Sequence, residues 1–264
     1  MNVSYLDLWR PTKVAPDQAV CRRIGPLTLW LRKTADEWRV ATERVPEAET
    51  PTAPAPEPRE PADGAWRRWA AGEEAGMFRL YPVMPDRPLV ARAESALTIP
   101  PNRHAHLVMS IPLWVRVTVG AEFRSVLGEE PTVPLGSTWF GDPTSGEMCY
   151  SLLTHVRRSY AEAEPRDHRV ICPVLVNNGS TDCLEFDKFC IHVAHLSVYT
   201  TATQLWTNEI RVTFRGRNQP SEVDYSKDVP AIEPVTGILS EPRVPLVRGL
   251  LHRSFASLLA FREQ

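Results

Sequence analysis

The pattern of apolar and polar positions predicts short strands through most of the chain. Near the start, GPLTLWLRK places Leu27, Leu29 and Leu31 on one face, TADE supplies a turn and WRVATE follows, which predicts a β-hairpin. From residue 66 onward, apolar runs of strand length alternate with turn-rich segments such as GDPTSG and NNGSTD. This succession predicts a mainly β fold, an antiparallel β-sandwich or jelly-roll-like architecture.

One stretch, VICPVLVNNGSTDCLEFDKFCI, is typical of two antiparallel strands of an immunoglobulin-like sandwich joined by a turn. Its second half changes phase, because Leu184 and Phe186 share one parity whereas Phe189 and Ile191 share the other. A charged pair at residues 187–188 separates the two halves. The change of phase predicts a β-bulge or a crossing between sheets at that pair.

At the end of the chain, the apolar residues have a different spacing. In VPLVRGLLHRSFASLLAFREQ, apolar residues recur at steps of three and four, which predicts one amphipathic helix over residues 243–264. Its apolar stripe packs on the domain, contacts an oligomer or protein partner, or lies on a membrane surface. The predicted partner-binding positions are Leu250, Leu251, Phe255, Leu258 and Phe261.

These patterns divide the chain into four segments. Residues 1–44 form the N-terminal hairpin segment, which is expected to pack on the main domain because an isolated hairpin is marginal in water. Residues 45–65 are rich in proline, alanine and glutamate, which predicts a flexible linker or loop. The β-sandwich domain follows at 66–242, and the C-terminal helix at 243–264.

Composition and charge limit the classes of partner. A net charge of -2 over 264 residues gives no electrostatic reason to expect a polyanion, so no nucleic-acid partner is predicted. The start of the chain lacks the order of a signal peptide, and no apolar run approaches the ~18 residues of a membrane span. We therefore expect a cytoplasmic protein that does not insert into membranes, with its five cysteines reduced.

The stretch CLEFDKFCIHVAH contains two cysteines and two histidines, the residue types that bind zinc through thiolate and imidazole. Cys190 and His192 share a strand face, so neighbouring strands would have to supply further ligands. Reduced cysteines are also common as small buried hydrophobic residues, and then no cofactor is expected. The candidate ligands for zinc or another transition metal are Cys183, Cys190, His192, Cys172, Cys149 and His155.

Signals of catalysis are weak. The sequence has no Gly-x-Ser-x-Gly elbow, no phosphate loop and no dinucleotide fingerprint. Carboxylates such as Glu147 and Asp187 could serve as a pair, but the sequence alone brings no two of them together. We therefore predict no catalytic residues, and favour a protein that is not an enzyme.

The order of the strand-forming segments resembles a known family. GPLTLWLRK with EWRVATE, IPPNRHAHLVMSIPLWVRV, STWFGDPTSGEMCYSLLT, CPVLVNNGSTDCLEFDKFCIHVAHLSVY and LWTNEIRVTFRG together resemble the prokaryotic family called domain of unknown function 432. The likeness covers the N-terminal hairpin and most of the chain after the linker. It implies a cytoplasmic, β-rich protein with no assigned activity, and an accessory role beside small-conductance mechanosensitive channels, whose genes neighbour those of some members.

The leading hypothesis is a non-enzymatic binding or scaffold protein that acts through a protein partner or as a homo-oligomer. Peripheral association with a membrane-protein complex, such as a mechanosensitive channel, would fit this role. The first alternative is a metal-binding domain or metal-dependent enzyme that uses the cysteine and histidine residues. The second alternative is a β-sandwich that binds a small ligand between its sheets.

Overall fold

The computed structural model describes residues 5–50, 58–70, 76–141, 143–160, 165–216, 219–226, 233–245, 250–252 and 255–256. Within these ranges the chain forms β-strands and short 3-10 segments but no α-helix, so the prediction of a mainly β fold is confirmed. The strands, in chain order, are β1 (Thr12–Lys13), β2 (Ala19–Ile24), β3 (Leu27–Lys33), β4 (Glu37–Arg44), β5 (Arg67–Ala70), β6 (Met77–Val83), β7 (Leu89–Ile99), β8 (His104–Pro112), β9 (Trp114–Val119), β10 (Ser125–Pro131), β11 (Gly136–Phe140), β12 (Glu147–His155), β13 (Arg169–Asn178), β14 (Leu184–Ile191), β15 (Val198–Thr200), β16 (Leu205–Thr207), β17 (Ile210–Phe214), β18 (Ser221–Tyr225), β19 (Gly237–Ser240), β20 (Leu250–His252) and β21 (Phe255–Ala256). The 3-10 segments are Tyr5–Trp9, Glu47–Glu49, Asp63–Ala65 and Val193–His195.

The chain divides into two compact units whose segments alternate along the sequence. Unit 1 comprises residues 1–83, 112–134 and 166–168. Unit 2 comprises residues 84–111, 135–165 and 169–264. The predicted segment boundaries at residues 44, 65 and 242 stay predictions, and part of the predicted linker, residues 51–57, lies outside the described residues.

Unit 1 contains two antiparallel sheets. Sheet I has the strand order β1-β6-β9-β10, and sheet II has the order β2-β3-β4-β5. β3 and β4 form the hairpin that the sequence predicts, and the side chains of Leu27, Leu29 and Leu31 on β3 are fully buried. The alternation in GPLTLWLRK therefore marks the face that packs into the core of this unit.

A two-residue turn, Gly25-Pro26, joins β2 to β3. Gly25 has φ +53°, a left-handed backbone conformation that favours glycine. The buried ring of His168 packs against it, and a Cβ at residue 25 would lie only 2.8 Å from His168 Cβ and closer still to the ring. His168 is itself fixed, since its Nε2 lies 3.0 Å from Glu47 Oε1 and its backbone oxygen accepts the Leu113 N–H at 2.9 Å. A residue with a side chain at position 25 would therefore strain this turn.

Unit 2 contains the other two sheets. Sheet III has the order β11-β12-β7-β14-β21, with β7 in the middle. Sheet IV has the order β19-β15-β16-β13-β17-β18-β20, and β8 also pairs with β13. In sheet III the pairing of β14 with β7 shifts register between Phe186 and Lys188, so the bulge predicted from the change of phase is confirmed.

The prediction of a purely antiparallel architecture is wrong at three strand pairs. β12 pairs parallel with β7, and β13 pairs parallel with both β16 and β17. The reason lies in the apolar run RVICPVLVNN of β13, which is buried along nearly its whole length. Continuous burial is typical of a strand covered on both faces, the environment of parallel strands.

The expected pairing of β13 with β14 is also wrong, because β13 belongs to sheet IV and β14 to sheet III. The NNGSTD turn between them carries the chain from one sheet to the other. Asn178 fixes this turn: its Oδ1 accepts the Ser180 N–H at 3.0 Å, and its Nδ2 donates to the Ile99 and Asp182 oxygens at 2.8 Å. The turn residues were identified correctly, but they join two sheets instead of closing a hairpin.

The predicted C-terminal helix is wrong over its described residues. Leu250 and Leu251 lie in β20, which pairs with β18, and Phe255 lies in β21, which pairs with β14. Strand pairing with distant segments overrides the local apolar period, as tertiary context often does for short segments. Leu258 and Phe261 lie outside the described residues. None of the helical segments in the described ranges has the length and apolarity that a membrane-spanning helix requires.

The carboxyl group of Glu233 in unit 2 is expected to stabilise the fold to an extent that depends on pH. Burial tends to raise the pKa of its carboxyl, but hydrogen bonds from Thr201, Thr203 and Gln204 outweigh burial and leave the pKa below its ordinary value. A carboxyl with a lowered folded-state pKa stabilises the fold above its unfolded-state pKa, and the stabilisation is lost as pH falls through the folded-state pKa.

We therefore expect Glu233→Gln to lower the free energy of unfolding at pH 7 and to have a smaller effect near pH 3. Urea denaturation at the two pH values measures the difference. Glu185→Gln, on an exposed residue of β14, is the matched control. An effect of Glu233→Gln that is equally large at both pH values would contradict the expectation.

Candidate functional site

Two cysteines approach each other on one face of sheet III. Cys149 lies on β12 and Cys190 on β14, and their sulfur atoms are 3.7 Å apart. Both side chains are buried, and they pack with Val90 of β7 and Phe140 of β11. The two sulfurs therefore face one point at the end of the central strand.

A carboxylate joins the two thiols. Glu147 precedes Cys149 by two residues on β12, so the two side chains share a strand face. A carboxylate oxygen of Glu147 and the sulfurs of Cys149 and Cys190 all lie within 4.8 Å of one another. The Glu147 side chain is 42% exposed, so the cluster has one side toward solvent. We call these three residues the thiol–carboxylate cluster.

His192 lies beside this cluster, directly after the end of β14. Its Nε2 is 2.8 Å from Glu147 Oε1, and its side chain is only 13% exposed. Tyr225, on β18 of sheet IV, donates its hydroxyl hydrogen to the backbone oxygen of His192 at 2.9 Å. The ring of His195 packs on the Tyr225 ring with centroids 5.0 Å apart. Residues of both sheets of unit 2 thus surround the cluster.

The spacing of the sulfurs matches a pair of metal ligands. Two thiolates about 2.3 Å from a zinc ion in a tetrahedral arrangement lie about 3.8 Å apart. The sulfurs of Cys149 and Cys190 are 3.7 Å apart. The side chains therefore need little movement to bind one ion.

The strand order favours a metal ion bound by both sulfurs over a disulfide between them. β12 and β14 are not neighbours, because β7 lies between them. Neighbouring strands are about 4.8 Å apart, so alternate strands are separated by roughly twice that distance. A disulfide needs Cα atoms no more than about 7 Å apart, whereas a metal ion between the sulfurs extends the reach of the pair.

Without a metal, the Cys190 thiol stays protonated. The hydrogen bond with Cys149, burial and the charge of Glu147 all raise the pKa of Cys190 far above its ordinary value. Burial lowers the pKa of His192, although Glu147 opposes that shift. His192 is therefore neutral at physiological pH, and donates one ring hydrogen to Glu147 when Nε2 is protonated.

The structure brings together three of the predicted metal ligands: Cys149, Cys190 and His192. Cys183 is not in the cluster, because it lies exposed in the turn before β14. Cys172 is fully buried on β13 in sheet IV, where it is hydrogen-bonded to Thr207. The side chain of the remaining candidate, His155, lies outside what the structure describes.

Sequence reasoning missed Glu147 as a member of the metal site and did not consider Tyr225. The signal for Glu147 was present, since a carboxylate two positions before a cysteine on a strand must share its face. No local signal pointed to Tyr225, because its hydroxyl reaches His192 from a strand 33 residues further along the chain.

Comparison with known proteins identifies the family. A family model described as "Protein of unknown function (DUF432)" matches residues 8–260. The chain belongs to this family. The resemblance seen in the sequence is thereby confirmed for DUF432. No curated protein and no solved structure matches the chain.

The cysteines of this DUF432 chain are expected to differ strongly in reactivity. The thiolate is the reacting form, and burial raises the pKa of Cys172 to about 12. Cys183 is exposed, whereas Cys149, Cys172 and Cys190 are buried. Iodoacetamide at pH 8 should therefore modify Cys183 first, and the three buried cysteines only after unfolding. Peptide mapping by mass spectrometry measures this order, and native labelling of Cys190 as fast as Cys183 would contradict it.

Proposed function

We propose that this protein binds a transition-metal ion, with zinc as the preferred ion, through the thiol–carboxylate cluster. The observation that carries the proposal is the 3.7 Å separation of the Cys149 and Cys190 sulfurs, with the Glu147 carboxylate within 4.8 Å of both. Three ligands from the protein leave one tetrahedral position for water or another small ligand.

The chemistry of the donors supports zinc over harder ions. Thiolates select zinc, copper(I) and iron–sulfur clusters, whereas magnesium and calcium prefer oxygen ligands only. Two thiolates and one carboxylate carry three negative charges, which a divalent cation largely neutralises. This neutralisation removes the cost of ionising two buried thiols beside a carboxylate.

Metal analysis of the purified protein tests the proposal. The wild-type chain, purified without added metal and without chelators, should contain one equivalent of zinc by inductively coupled plasma mass spectrometry. The double variant Cys149→Ser/Cys190→Ser should contain none. Cys183→Ser is the matched control, because that cysteine is exposed and outside the cluster, and it should retain the metal.

Two results would overturn the proposal. One is a wild-type protein that neither contains zinc nor takes up one equivalent when zinc is added to chelator-treated protein. The other is zinc uptake by the double variant that equals uptake by the wild type. Circular dichroism of the double variant shows whether it is folded, and a competition titration of Glu147→Gln provides a second measurement on a chain with both thiols intact.

A second candidate function, protein contact by self-association, is supported by one surface of unit 2. Trp139 of β11 and Met148 of β12 are cross-strand partners, and each is 49% exposed. Exposed aromatic and thioether side chains are enriched at protein interfaces. This surface replaces the predicted helix as the basis for a scaffold role, including the accessory role beside a mechanosensitive channel that the family resemblance implies.

Light scattering coupled to size-exclusion chromatography tests self-association. The wild-type chain should have a mass above that of one 29.7 kDa chain, and Trp139→Ser should lower it. Val235→Ser, on another exposed apolar residue of unit 2, is the control. A monomeric wild type would contradict the candidate. Packing of the sheets as a sandwich and a small-ligand site between them stay predictions.

A further inference from the structure

We infer that His192 is a positioning residue for the metal ligand Glu147, and that Tyr225 holds His192 in place from the other sheet of unit 2. This inference rests on the proposed metal function. It assigns His192 a role different from the ligand role that the sequence suggested, and it adds a residue, Tyr225, that the sequence did not identify.

Glu147 needs an external constraint to serve as a ligand. It is the first residue of β12, and its side chain is 42% exposed. A glutamate in such a position samples several rotamers, and fixing one of them has an entropic cost. The hydrogen bond from His192 Nε2 to Glu147 Oε1, 2.8 Å long, selects a rotamer that keeps the carboxylate beside the two sulfurs.

His192 is close to the cluster without being part of it. The three atoms that lie within 4.8 Å of one another belong to Glu147, Cys149 and Cys190. The Nε2 atom of His192 is directed at the carboxylate, where it can donate a hydrogen bond. Partners that orient a metal ligand by a hydrogen bond are common around zinc, and their loss typically reduces metal affinity about 10- to 100-fold.

His192 itself lies at a break in secondary structure. β14 ends at Ile191 and a 3-10 segment begins at Val193, so His192 lies between these two elements. The Tyr225 hydroxyl donates to its backbone oxygen at 2.9 Å. Tyr225 is 9% exposed and lies on β18, which is paired on both sides. The hydroxyl therefore approaches from a rigid element.

Burial and nearby acidic groups keep this tyrosine a donor. Desolvation raises the pKa of Tyr225, and Cys172, Cys190 and Glu147 raise it further. The phenol thus remains protonated over the whole physiological range of pH. One hydrogen bond to the backbone of His192 and one from its ring thus connect a strand of sheet IV to the carboxylate on sheet III.

Zinc affinity of four variants tests the inference, measured by competition with a chromophoric chelator. His192→Ala should weaken zinc binding about 10- to 100-fold. His192→Gln should bind nearly as well as the wild type, because the glutamine side-chain amide can donate to Glu147 from a similar position but is a poor zinc ligand. Tyr225→Phe should weaken binding several-fold in the wild-type background and have no effect in a His192→Ala background, since Tyr225 acts through His192.

The matched control is Tyr160→Phe, because Tyr160 is a half-buried tyrosine of the same unit that packs on Trp206, with ring centroids 5.8 Å apart. Its zinc affinity should equal that of the wild type. The visible spectrum of the cobalt(II)-substituted protein gives a second readout that a general loss of stability would not change. We expect altered cobalt bands in His192→Ala and unaltered bands in His192→Gln.

The results separate the inference from the function on which it rests. If the wild type binds no zinc, the proposed function fails first. If the wild type binds zinc and His192→Ala binds it equally well, the positioning role is wrong. If His192→Gln is as weak as His192→Ala, His192 is itself a ligand, and the inference is again overturned.

Discussion

Replacing Gly25 with alanine is expected to destabilise the protein by about 2 to 5 kcal/mol. The left-handed conformation at φ +53° costs a residue with a Cβ about 1 to 2 kcal/mol. The new methyl group would also collide with the buried ring of His168, and overpacking of this kind costs about 1 to 3 kcal/mol. His168 cannot move aside easily, because Glu47 and the backbone of Leu113 hold it.

Urea denaturation followed by tryptophan fluorescence measures this effect. Gly64→Ala is the matched control, since nothing lies within 4 Å of a Cβ at residue 64, and its change should be below about 0.5 kcal/mol. A Gly25→Ala variant as stable as Gly64→Ala would show that the His168 ring relocates at little cost. Such a result would contradict the fixed packing described for this turn.

Zinc is expected to raise the free energy of unfolding by about 2.7 kcal/mol when the free ion is present at 100 times its dissociation constant. The reason is that only the folded chain holds Cys149, Cys190 and Glu147 in reach of one ion. Thermal unfolding of chelator-treated protein, with and without added zinc, measures the shift. Metal buffered by a weak chelator keeps the free concentration known during the scan.

The same scan on two cysteine variants separates specific from general effects. Cys149→Ser/Cys190→Ser should lose the zinc-dependent shift, whereas Cys183→Ser should retain it. An equal shift in all three chains would show that zinc binds elsewhere. That outcome would contradict zinc binding at the thiol–carboxylate cluster.

Local features of the fold could be predicted from the sequence, whereas sheet membership could not. The β3–β4 hairpin and the bulge between Phe186 and Lys188 were predicted, because each depends on the alternation of a few neighbouring residues. The partners of β13 and β14 were not predicted. Turn chemistry at NNGSTD shows where the chain reverses, but it does not show which sheet the next strand joins.

The C-terminal segment illustrates the same limit. Apolar residues at steps of three and four over residues 243–264 fit a helix locally, but Leu250 and Phe255 pair as strands with β18 and β14. The local spacing of apolar residues contains no information about hydrogen bonds to the edges of distant sheets. The candidate site was found in part for a related reason: Cys190 and His192 are near each other in sequence, whereas Cys149 is 41 residues from Cys190.

The central position of β7 in sheet III has a consequence for the time course of folding. Its neighbours are β12 and β14, and pairs such as Ile99 with Leu184 join residues 85 positions apart. Contacts of such long range form slowly, because a long chain segment must be closed before any of them contributes. During synthesis on the ribosome, one edge of β7 must therefore stay unpaired until β14 emerges, whereas β3 and β4 are adjacent in the sequence. Chaperone binding in the cell is expected to concentrate on unit 2 during this interval.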